Sequence, residues 1–236
     1  MSGKASKKFN LDAQRQAAMK ELKKLDIKYV ISAQGDVVVP GHVKLDQRGL
    51  TELPDLSCVI VRGGFFCHSN KLTSLKGAPK AVGENFFCFH NDLTTLDYAP
   101  KKVGGDFVCH HNELVTLENG PEQVFGDFTC YQNPITSLEG GPRKVGGDYA
   151  VHYCHLSTLE GAPKEIGGKL ICFSNPMLLH LEHAPNKFAL LRSDHGDFSS
   201  LDDMPDNVRY SPETLERLAT VLQRSVTIRK PLKLAM

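Results

Sequence analysis

Residues 104–124 read Gly-Gly-Asp-Phe-Val-Cys-His-His-Asn-Glu-Leu-Val-Thr-Leu-Glu-Asn-Gly-Pro-Glu-Gln-Val, and the chain says nearly the same thing on either side. Phe65, Phe86, Phe107, Phe128 and Tyr149 recur every 21 residues, as do Cys67, Cys88, Cys109 and Cys130. Asn70, Asn91, Asn112 and Asn133 keep that step, and Asn175 returns to it. So do Leu72, Leu93, Leu114, Ile135 and Leu156, followed by Leu75, Leu96, Leu117, Leu138 and Leu159. A fixed period in the low twenties with this apolar spacing is the signature of a solenoid.

The shared unit is Phe-x-Cys-x-x-Asn-x-Leu-x-x-Leu. Phe and Cys alternate with polar or variable residues, which places them on one face of a short strand. The Leu residues follow the turn and close the rung. One rung cannot bury its apolar side alone, whereas stacked rungs set each Phe on the next at about 4.7–4.9 Å. Asn marks the corner. Its amide is expected to bond turn backbone that has no ladder partner, making Asn70, Asn91, Asn112, Asn133 and Asn175 a structural ladder.

Between rungs come Ala78-Pro79, Ala99-Pro100, Gly120-Pro121, Gly141-Pro142, Ala162-Pro163 and Ala184-Pro185. Proline removes a donor and fixes φ, so an extended, polyproline-like back is expected with little room for helix. Val82, Val103, Val124, Val145, Ile166 and Phe188 follow three positions later and are expected to plug the core from that side. Gly104-Gly105, Gly146-Gly147 and Gly167-Gly168 are expected to form positive-φ turns into the next strand.

The unit resembles the leucine-rich repeat in its short bacterial form. Phe107 and Cys109 stand in the strand-leucine places and Asn112 stands at the corner. Asn70-Lys71-Leu72-Thr73-Ser74-Leu75 is similar to repeats of bacterial effector and phage proteins. The resemblance covers roughly residues 43–204. It implies an α/β leucine-rich-repeat-like β-solenoid with a parallel concave sheet and helical caps at both ends. It says little about function, because such repeats serve many unrelated partners. Effectors of this type that are ubiquitin ligases carry a catalytic domain for which this chain leaves no room, so that activity is not carried over.

The chain divides into a flexible basic tail (1–9), an N-terminal cap (10–42), the solenoid (43–205) and a C-terminal helical cap and tail (206–236). Asn10 is expected to cap a helix to about Leu25 with Leu11, Ala18, Leu22 and Leu25 on one stripe. Residues 27–32 and 36–39 read as two strands around Ala33-Gln34-Gly35. The first rung is degenerate, with Val43, Leu45, Leu50 and Leu53 in the Phe, Cys, Leu and Leu places. Near the far end Met177 keeps register but His180 falls where Leu is due, so one residue is inserted before Leu181. Phe198 and Leu201 suggest a last worn rung. Ser211-Pro212-Glu213 opens a helix whose Leu215, Leu218, Val221 and Leu222 stripe should cap that end.

The 236 residues, 41% of them hydrophobic, are enough for one elongated core. A formal charge of +1 supplies no global field for nucleic acid. No run is apolar enough to cross a membrane, and the first residues lack the apolar core of a secretory signal. Seven cysteines, mostly in one buried column, imply free thiols and a cytoplasmic location, the host cytoplasm for a phage protein.

Function is expected on the outward side of the strands that carry the Phe and Cys columns. Phe66 and Phe87 lie between the Phe and Cys positions. His68, Phe89, His110, Tyr131, His152 and Phe173 follow the Cys position, with His90, His111 and Tyr153 one step further. This face is expected to capture a protein partner, because continuous exposed aromatics mark interfaces. Asn85, Asp106, Asp127 and Asp148 add an acidic edge. An alternative is a structural component of a virion or ribonucleoprotein assembly, docked through the basic termini (Lys4, Lys7, Lys8, Arg224, Arg229, Lys230 and Lys233).

No cofactor and no metal site is assigned. Cys and the following His point to opposite faces of a strand, whereas zinc ligands must converge. A surface site from stacked histidines on adjacent rungs, such as His90 with His111, comes nearer than the Cys-His pairs do. No nucleophile elbow, Walker loop or His-Glu-x-x-His motif occurs, so an enzyme is not expected.

Overall fold

The computed structural model describes residues 2–228, with side chains described for residues 11–220. Each rung contributes two short strands to two parallel walls. The first wall has nine strands. Val43–Lys44, Phe65–Phe66, Phe86–Phe87, Phe107–Val108, Phe128–Thr129, Tyr149–Ala150, Lys169–Ile171 and Leu190–Ser193 run in parallel, and Gly196–Phe198 closes the end. The opposite wall has seven strands: Val30–Ile31, Val37–Val39, Val59–Val61, Ala81–Val82, Lys102–Val103, Gln123–Val124 and Lys144–Val145.

The register is that of the repeat. Phe107 pairs with Phe86 and Phe128, and Val103 pairs with Val82 and Val124. Between the walls Phe65, Phe86, Phe107, Phe128 and Tyr149 form one stack, with neighbouring ring centroids 5.4, 5.2, 5.8 and 5.1 Å apart. The Cys column, both Leu columns and the opposing valines complete the buried core. Each such Phe or Leu contributes about 1.5–3 kcal/mol through burial, and only because the neighbouring rungs supply the contact.

The back of the solenoid departs from the polyproline expectation. It is a second hydrogen-bonded parallel sheet. The two residues after each Pro-Lys, Pro-Glu or Pro-Arg pair alternate outward and inward, and their N–H groups are free to bond the preceding rung, as in Gln123 N–H to Lys101 O at 3.3 Å. Among the described residues no helix lies within a rung, so the α/β part of the expectation does not hold for the repeats. A helical layer needs about 10 Å per element and splays one wall. Two strand walls step alike at about 4.8 Å. The usual cause of a concave inner face is therefore missing, and we call the Phe/His side the aromatic wall.

The glycine pairs also differ from expectation. Gly104, Gly105, Gly146, Gly147, Gly167 and Gly168 do not have positive φ. They are required by crowding. A Cβ at Gly105 would fall on the Asn85 side-chain oxygen, and one at Gly104 on the Gly83 carbonyl.

At the N-terminal end the helix spans Ser2–Lys24, so Asn10 lies inside it and the segment read as a flexible tail is helical from Ser2. Ala18 and Leu22 are buried in the same cluster as Val37, Val39 and Val43. The two strands expected around Gly35 form an antiparallel pair, Val30 with Val38, and Gly35 has φ +81°. At the far end the inserted residue precedes Leu178 rather than Leu181. Leu178 and Leu181 are buried, whereas Met177 is 62% exposed. Phe198 is not in a further parallel rung. It sits in an antiparallel hairpin opposite Leu191, turned at Gly196. The last helix, Pro212–Ile228, leaves Leu218 44% exposed. The side chains of Val221 and Leu222, and those of Lys4, Lys7, Lys8 and Arg224, lie outside the described side chains, and Arg229, Lys230 and Lys233 lie outside the described residues.

Candidate functional site: the aromatic wall

Strand alternation turns Phe and Cys inward, so the residues between and after them face out. His68, Phe89, His110, Tyr131, His152 and Phe173 stack into one continuous column. Their successive centroids lie 4.3, 4.7, 4.3, 4.4 and 4.7 Å apart, and no pair of neighbours is tilted by more than 21°. The rung spacing of about 4.8 Å is close to the centroid separation of two offset-stacked rings, so the register stacks them without further adjustment. Every ring in the column is half-buried. Phe66 and Phe87 form a shorter row beside it, 5.2 Å apart, joined to the column through Phe87 and Phe89 at 5.9 Å.

The next residue in every rung adopts left-handed backbone although it is not glycine. Ser69, His90, His111, Gln132, Tyr153 and Ser174 have φ between 51° and 54°. Left-handed backbone costs about 1–2 kcal/mol at a residue with a Cβ. The Asn that follows offsets it. Asn112 donates its amide to Cys88 O and Cys109 O at 3.1 and 2.9 Å, and accepts the Leu93 N–H at 3.0 Å. Asn70, Asn91, Asn133 and Asn175 bond in the same way, so the structural ladder stands where the sequence placed it. The reversal lets two consecutive side chains, such as His110 and His111, both face outward before the Asn turns in.

All the expected face residues therefore share one wall, but in three rows. His90, His111 and Tyr153 form the outermost row, with Tyr153 packed edge-on against Phe173 at 5.5 Å. The acidic edge has a structural duty. Asp127 N–H donates to Asp106 Oδ1 at 2.8 Å, Asp148 N–H to Asp127 Oδ1 at 2.7 Å and Lys169 N–H to Asp148 Oδ1 at 2.8 Å. This second side-chain ladder is why glycine must precede each aspartate.

His90, His110 and His111 converge across two rungs. One ring nitrogen from each lies within 4.8 Å of the others. His110 Nδ1 and His111 Nδ1 are 2.7 Å apart, which requires that one carry a proton and the other accept it. Burial, then His111, His90 and His152, lowers the His110 pKa to about 4. Burial likewise lowers those of His68, His111 and His152. His68, His110, His111 and His152 are thus neutral imidazoles at pH 7.

The thiols of Cys67, Cys88, Cys109, Cys154 and Cys172 behind the wall are protonated. Burial pushes Cys154 and Cys172 up to about 12 and raises Cys67, Cys88 and Cys109 as well. All seven cysteines are free. Sequence reasoning missed the left-handed row and the use of the aspartates. The signal for the latter was the glycine that precedes each one. It also missed that Cys154 occupies an Asn place, readable from the 21-residue step between Asn133 and Cys154. No family model, no curated protein and no solved structure matches this chain.

Proposed function

We propose that the chain is a non-enzymatic binding module that captures a protein partner on the aromatic wall. One observation carries this reading: six stacked rings from His68 to Phe173 face outward with Phe66 and Phe87 beside them. A core residue has no reason to be on that side, and an ordinary solvated sheet face is polar. Rings locked in a stack lose little torsional freedom on binding, which suits them to be anchors. Neutral histidines let the wall desolvate without burying charge. The rung's resemblance to short leucine-rich repeats fits a binding module, with the end helices as caps. It also suggests a phage or effector protein that occludes a host protein in the cytoplasm.

The test is affinity capture from native lysate with wild type beside the triple variant Phe87→Ala, Phe89→Ala, Tyr131→Ala, with circular dichroism to confirm that the variant is folded. A partner retained by wild type and lost by the variant supports the reading. Equal retention by both overturns it.

A further inference from the structure

We propose that His90, His110 and His111 form a binding site for a borderline divalent transition-metal ion, with zinc(II) and cobalt(II) as representative ligands. The proposal does not depend on the protein-binding reading. Its basis is convergence. The three imidazoles come from two adjacent rungs, and their donor atoms lie within 4.8 Å of one another. The ring centroids of His90 and His111 are 4.1 Å apart, and those of His110 and His111 are 4.9 Å apart.

The backbone builds this cluster. Left-handed geometry at His90 and His111, with φ 51° and 53°, turns both side chains out beside the strand residue His110. The His110 ring is held between Phe89 at 4.7 Å and Tyr131 at 4.3 Å, so one ligand is fixed in plane before an ion arrives. Tetrahedral donors about 2.0–2.1 Å from zinc are roughly 3.3 Å apart. The widest pair must close by about 1.5 Å and the 2.7 Å pair must open slightly, motions within reach of side-chain rotation at exposed His90 and half-buried His111.

The donor set defines the ion. Three neutral nitrogens and no carboxylate suit zinc, cobalt, nickel or copper and leave calcium and magnesium unserved. Each ring would bind through one nitrogen and keep its proton on the other, so no net proton is released. Three protein ligands leave a fourth position for water or for a donor brought by another molecule. The other histidines of the column, His68 and His152, have no such neighbours. Among the described residues this is the one cluster of its kind.

The experiment uses the full chain, without an affinity tag and with its thiols reduced. Cobalt(II) is titrated in and followed by visible absorption, then displaced with zinc(II). The variants are His90→Asn and His111→Asn, since asparagine tolerates left-handed backbone and is a poor ligand for these ions. His152→Ala is the control. We expect one cobalt per chain, ligand-field bands without a thiolate-to-cobalt band, and displacement by zinc. Affinity should fall at least tenfold in either Asn variant and stay unchanged in the control. Folding of each variant is checked by thermal melting, and zinc should raise the melting temperature of wild type more than that of the variants. Absence of stoichiometric binding, a thiolate band, or equal affinity in folded Asn variants would overturn the proposal.

Discussion

Asn112 accepts the Leu93 N–H on its side-chain oxygen at 3.0 Å, and so ties its own corner to the rung before it. Its amide meanwhile serves two carbonyls on adjacent strands. Removing this side chain orphans the buried Leu93 N–H, worth about 1–3 kcal/mol when unsatisfied, whereas the Cys88 and Cys109 carbonyls each keep one amide, from Asn91 and Asn133. Asn112→Ala should therefore destabilise the chain by about 1–3 kcal/mol, measured by urea unfolding. A loss under about 1 kcal/mol would mean that water replaces the ladder.

Cys154 is the break in that ladder. Its thiol reaches Cys130 O and His152 O at 3.7 and 3.6 Å, and it offers no amide oxygen to the preceding rung. Cys154→Asn restores the missing member between Asn133 and Asn175. We expect about 1 kcal/mol of added stability in the same unfolding assay.

Tyr149 ends the buried ring stack with a hydroxyl that has no hydrogen-bond partner among the described residues. An unsatisfied buried hydroxyl costs about 1–3 kcal/mol. Tyr149→Phe keeps the ring and removes that cost. The melting temperature should rise, and a fall would reveal a partner for the hydroxyl.

The histidine column makes stability depend on pH. In the folded chain His110 titrates at about 4, against an ordinary value of 6.5. As pH falls below 6.5 the unfolded chain takes up protons that the folded chain refuses. Stability is therefore complete above about 6.5 and is lost progressively down to about 4, with His68, His111 and His152 acting in the same direction. His110→Phe should flatten this part of the melting-temperature profile while keeping the stack. An unchanged slope would place the titration elsewhere.

Thiol labelling separates the cysteines by burial. Cys58 is half-buried and the other six are buried. Iodoacetamide at neutral pH should modify the native chain at Cys58 alone and reach all seven in denaturant. Rapid native labelling of Cys109 or Cys130 would contradict the closed core.

The solenoid, its 21-residue step, the buried columns and the Asn ladder were legible because each position repeats, so a single error in one rung is outvoted by the others. The membership of the aromatic wall was legible for the same reason. What stayed hidden was backbone detail with no residue-type signal. Ser, His, Gln and Tyr all occupy the left-handed position, and none of them announces it. The back sheet was hidden by proline, which argues against a strand, while the two residues that form the strand lie just beyond it. The three-histidine cluster was half visible: His90 and His111 share a column, but His110 joins them only because the chain reverses its handedness between 110 and 112.

Both walls pair each rung only with its immediate neighbours, in the same register throughout. Excising residues 83–103 would bring Gly104 beside Arg62 and Phe107 onto Phe65, with glycine kept at the crowded turn and each buried column continued. Length in this architecture is therefore a free variable. The number of turns answers to the cargo carried on the outside, and the interior would accept more or fewer.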